Sequence, residues 1–74
     1  MIVWEYAKRI AEVISTRYRD KLPYTIVRRI ELAVETMNEL QFVEELYFAV
    51  RTLWTQYNIA DRELLDLIEK AVKL

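Results

Sequence analysis

The sequence predicts an all-α fold, a small four-helix bundle with short connections. Three observations carry that prediction: the chain has no glycine and a single proline, its apolar residues recur at three- and four-residue spacing, and helix caps stand where that recurrence changes phase. Glycine and proline are the usual punctuation of strands and tight turns, and average usage would supply about five glycines to a chain of this length. With 74 residues the chain makes one helical domain, 1–74. A domain of this size buries only about 60% of the surface its unfolded chain exposes.

The first helix is expected over about residues 2–19. Val3, Tyr6, Ala7, Ile10, Ile14 and Tyr18 form its apolar stripe, with Lys8, Glu12 and Arg19 opposite. Ile2, Trp4, Ala11 and Val13 widen the stripe to roughly half the circumference, more than one neighbouring helix covers. Pro23 ends the pattern, because it lacks an amide donor and pushes Leu22 out of the helical region. It suits the start of a second helix, about 24–37, whose stripe is Ile26, Ile30, Ala33, Val34 and Met37.

Phase separates the second helix from the third. At about 100° per residue, the stripe of Phe42, Val43, Leu46, Val50, Leu53, Trp54 and Tyr57 points roughly opposite to that of residues 26–37. One straight helix would face two ways, so a break is expected near Asn38. Asn38 caps, Gln41 completes a capping box, and Met37 staples against Phe42, giving a third helix over about 39–57. After Asn58, Ile59 and Ala60, Asp61 caps a last helix, about 61–73, with Leu64, Leu65, Ile68, Ala71 and Val72 inward. Asp66 with Lys70 and Glu69 with Lys73 are spaced to pair on its polar side.

Chemistry is sparsely supplied. The chain has no cysteine and no histidine, which removes disulfides, thiolates, imidazole bases and the two best transition-metal ligands. No catalytic residue, metal or cofactor is expected, and the chain is read as non-enzymatic. Glu31, Glu35 and Glu39 recur at i, i+4 and i+8, with Glu44 and Glu45 following; this is expected to be a solvated acidic face and not an oxygen-ligand cation site.

Net charge is −1 but unevenly divided: residues 1–30 hold seven Lys/Arg against three Asp/Glu, and residues 31–74 hold four against nine. Arg17, Arg19, Lys21, Arg28 and Arg29, near Tyr18 and Tyr24, form the one basic cluster that suits nucleic acid, so a small nucleic-acid-binding accessory protein is the alternative function. Asp20 and Glu31 interrupt that cluster.

The leading expectation is a protein–protein interaction module. Leu32 and Phe48 stand among polar residues on faces that packing within the chain should leave wet, and the chain carries nine aromatics. With the wide first stripe, that surplus points to an interface at Trp4, Leu32, Phe48 and Trp54. A homo-oligomer is expected, a two-fold dimer above all, since oligomerisation is the one common stabilising device of small domains that this composition leaves open. No uncharged stretch approaches the about 20 residues of a membrane span, and Glu5, Lys8 and Arg9 come too early for a secretory signal, so the default location is cytoplasmic.

Overall fold

The helix that opens the fold begins later than its stripe suggests, because nothing before Trp4 can cap it. The computed structural model describes residues 1–72 and gives α1 Trp4–Arg17, α2 Tyr24–Glu35, α3 Glu39–Tyr57 and α4 Arg62–Ala71. Val3 occupies the N-cap of α1 with no side-chain acceptor. Ile2 instead forms an isolated antiparallel bridge with Val72, and the Val3 amide donates to the Ala71 carbonyl at 2.8 Å. That bond satisfies a carbonyl that the end of α4 would otherwise leave without a partner. The expected starts and ends at residues 2, 19, 37 and 61 therefore give way to shorter helices, and the expected end at residue 73 lies outside the described residues.

The break at Asn38 is present, and its chemistry differs in part from the expectation. The Asn38 side chain accepts the Gln41 amide at 3.1 Å, capping α3. The Asn38 amide is already committed to the Ala33 carbonyl at 2.9 Å, while Met37 donates to Val34 at 3.2 Å. These two bonds are the Schellman closure of α2, so the reciprocal half of the capping box is not made. Met37 sits in the left-handed region at φ 52° and is 60% exposed. The ring of Phe42 is met edge-on by Trp4, with centroids 5.8 Å apart and planes at 61°.

Packing runs α3–α2–α1–α4, with α1 between α2 and α4, and the backbones of α3 and α4 do not approach each other closely. The core is Ala7, Ile10 and Ile14 of α1, Val27, Ile30 and Ala33 of α2, Phe42, Leu46, Ala49 and Leu53 of α3, and Leu64 and Ala71 of α4, joined by Ile2, Tyr18 and Leu22. Val27 replaces Met37 as the inward residue of α2. On α3 the inward face turns toward Ala49, leaving Val43, Trp54 and Tyr57, expected on the inward stripe, 44%, 57% and 44% exposed. Leu65 of α4, likewise expected inward, is exposed. The radius of gyration, 11.0 Å, matches the about 11 Å expected of a closed domain of this length, so the open side between α3 and α4 is a surface feature of a folded unit.

Candidate interaction surface

Because α3 packs on α2 and α4 packs on α1, an apolar cleft runs between α3 and α4. Two adjoining hollows occupy it. One, of about 210 Å³, lies among Val50, Leu53, Trp54, Ile59, Leu64 and Leu65, with Asp61 at its edge. The other, of about 280 Å³, lies among Val43, Leu46, Tyr47, Val50, Leu65 and Ile68. Val50 and Leu65 border both, so the hollows form one trough with α3 as one wall and α4 as the other. Soluble monomers rarely leave large contiguous apolar surfaces uncovered, and those that persist mark binding sites.

Asp61 anchors the start of the α4 wall. One carboxylate oxygen accepts the Leu64 amide at 3.1 Å, as an N-cap does. The other accepts the Tyr18 hydroxyl and, at 2.6 Å, the Arg17 guanidinium, whose second nitrogen reaches Glu63 at 2.7 Å. Burial opposes ionisation of Asp61, but the hydrogen bonds from Tyr18, Arg17 and the Leu64 amide outweigh it and hold this carboxyl below the usual carboxylate range. Burial raises Tyr18, reinforced by its bond to Asp61. Hydrogen bonding to Glu63, and then to Asp61, raises Arg17 above its ordinary value. The cluster ties the end of α1 to the start of α4, beside the hollow that Asp61 helps to line.

The residues expected at the interface fall on different surfaces. Trp54 lies in the cleft. Phe48 is half exposed and contacts the Tyr47 ring at 6.1 Å, but it stands about 100° around α3 from Tyr47, outside the cleft. Leu32 is 42% exposed on the face of α2 opposite Ile30. Trp4 is half-buried against the core. Val43, Tyr47 and Leu65, not among the expected interface residues, complete the cleft with Trp54; the separation of the α3 and α4 backbones is a tertiary fact that no single helix's pattern announces.

The basic cluster is largely engaged within the chain. Arg17 holds Asp61 and Glu63, Lys21 pairs with Asp20 at 3.7 Å and lies over the Tyr57 ring, Arg28 reaches Glu31 and Glu35 at 3.6 and 3.3 Å, and Arg29 reaches Glu45 at 3.8 Å. Arg19 makes no ion pair among the described residues. Tyr18 is buried with its hydroxyl committed, which leaves Tyr24 as the exposed aromatic of that cluster. The acidic series is divided as well: Glu31 and Glu35 serve Arg28, Glu39 meets the N-terminal ammonium at 3.5 Å, and Glu45 serves Arg29. Asp66 and Lys70 make no ion pair among the described residues, and the Glu69–Lys73 pair lies outside them. No described helix is long and apolar enough to cross a membrane. Comparison with protein-family models, curated proteins and solved structures gave no match.

Proposed function

We propose that this chain is a non-enzymatic helical interaction module that self-associates as a two-fold dimer through the cleft between α3 and α4. One observation supports this reading above the others: an apolar trough, bordered by the exposed side chains of Tyr47, Trp54 and Leu65, lies where the backbones of α3 and α4 stand apart. Covering it removes apolar surface from water at about 25 cal/mol per Å². Large aromatics at the centre of such a surface carry a disproportionate share of binding energy. Nucleic acid is the weaker reading, since it would have to compete with Asp61, Glu63, Asp20, Glu35 and Glu45 for four of the five basic side chains.

The test is the mass in solution across a dilution series, for wild type and for Trp54→Ala. Concentration-dependent dimerisation that the substitution weakens supports the proposal. Wild type that stays monomeric at every concentration, or a dimer indifferent to Trp54→Ala, counts against it. A titration with short DNA and RNA at two salt concentrations addresses the alternative, because binding through phosphates weakens steeply with salt.

A further inference from the structure

The outward face of α3 carries a second periodicity, distinct from its core face. Leu40, Val43, Tyr47, Val50, Trp54 and Tyr57 follow one another at spacings of three, four, three, four and three residues. That is the repeat of a coiled-coil seam, with Leu40, Tyr47 and Trp54 at one set of positions and Val43, Val50 and Tyr57 at the other. The first set is 70%, 61% and 57% exposed. Buried Leu46 and Leu53 lie on one flank of this seam, and Glu44 and Arg51 lie on the other, each directly following a seam residue. Glu44 and Arg51 make no ion pair among the described residues, whereas the other two charges of α3, Glu39 and Glu45, are paired.

Resting on the reading of the cleft as a self-association surface, we infer that the occupant is a second copy of this chain, docked with its α3 antiparallel to the first. Size complementarity selects that direction. With the two-fold axis between Tyr47 and Val50, Leu40 faces the partner's Tyr57, Val43 faces the partner's Trp54, and Tyr47 faces the partner's Val50. Small then meets large at the two inner layers, as dense packing requires. A parallel pair would stack Tyr47 on the partner's Tyr47 and Trp54 on the partner's Trp54, and set valine against valine between them. Charge selects the same direction: Glu44 and the partner's Arg51 flank the same side of the seam about two residues apart along the axis, roughly 3 Å of helix rise. The two-fold axis makes that pair twice. Area is adequate too, since the seam and Leu65 present on the order of 700 Å² of side-chain surface, close to the about 800 Å² per partner of a standard interface.

Two experiments test the arrangement. Glu44→Arg and Arg51→Glu each place like charges opposite one another in the homodimer, and each is expected to weaken dimerisation about tenfold. Mixing the two variants restores wild-type affinity as a heterodimer, because every flanking pair is then of opposite sign. In the second experiment Leu40→Cys and Tyr57→Cys chains are mixed under mild oxidation; the natural chain has no cysteine, so every disulfide reports these two positions. Antiparallel docking yields the mixed Leu40→Cys/Tyr57→Cys disulfide. A wild-type dimer whose charge variants are indifferent to mixing, or whose cysteine variants each link to themselves, overturns the antiparallel seam and leaves the self-association reading standing. Wild type that is monomeric at all concentrations overturns both.

Discussion

At the scale of single residues, the absence of glycine has to be met by other side chains. Two residues adopt positive φ to end helices, Met37 at 52° and Asn58 at 55°. Asn58 donates to Trp54 at 3.0 Å, and Ile59 to Leu53 at 2.9 Å. Asparagine tolerates the left-handed region; methionine gains nothing there and carries a Cβ penalty of about 1 kcal/mol. Met37→Gly is therefore expected to raise unfolding free energy by about 0.5–1 kcal/mol, a rise of several degrees in the melting temperature of a domain this small. Thermal unfolding followed by circular dichroism checks it, and an equal gain from Asn58→Gly would remove the argument. Asp61 gives a second expectation. Its folded-state value lies below the unfolded one, so the unfolded chain takes up the proton first as pH falls. The carboxylate's contribution is complete above the ordinary value of 3.8 and is lost as pH drops through the lower folded value. Asp61→Asn keeps an N-cap acceptor but loses the charge facing Arg17, and it is expected to cost about 1–2 kcal/mol at pH 7. In urea titrations at fixed protein concentration, that difference should narrow between pH 7 and pH 3; a constant gap would show that the cost lies elsewhere.

At the scale of the element, α3 is a helix with two apolar faces, and that explains what its sequence could and could not disclose. Phe42, Leu46, Ala49 and Leu53 face inward, while Val43, Tyr47, Val50 and Trp54 line the cleft. Read alone, both sets merge into one broad stripe, so the existence of α3 and its boundaries at Glu39 and Tyr57 were legible and its division into core and surface was not. Caps were legible for a related reason. Asn38 and Asp61 are local signals that act on amides three residues ahead. The α1 start was not, because Val3 is held by Ala71 from the far end of the chain. The two faces predict different phenotypes. Leu53→Ala removes a side chain only 2% exposed and should cost about 2–5 kcal/mol of folding stability. Trp54→Ala, one residue on, should leave helix content nearly unchanged and weaken association. Phe48→Ala, which the sequence alone would place at the centre of the contact, should now affect association less than Trp54→Ala does, since Phe48 lies outside the cleft. Sedimentation and circular dichroism on the three variants side by side separate core from contact; loss of fold in Trp54→Ala would assign that tryptophan to the core.

At the scale of the whole molecule, the order α3–α2–α1–α4 leaves the backbones of the first and last helices of the packing series apart, with an apolar cleft between them. A small domain has few ways to compensate for a thin core, and covering the open side with another copy stabilises the fold by mass action as well as by burial. The Arg17–Asp61–Glu63 cluster holds α4 to α1 on that side, so the cleft is bounded by anchored walls. The measurement that bears most directly on this account is sedimentation equilibrium of wild type and Tyr47→Glu over a wide concentration range, with circular dichroism as the control for folding. Tyr47 is 61% exposed, so a carboxylate there leaves the monomer folded and places like charges in the contact. Wild type is expected to move from twice its 9.0 kDa chain mass toward 9.0 kDa on dilution, while Tyr47→Glu stays at the chain mass throughout with its helical spectrum intact. A wild-type chain that sediments at 9.0 kDa at every concentration, or a Tyr47→Glu variant that dimerises as wild type does, would contradict it.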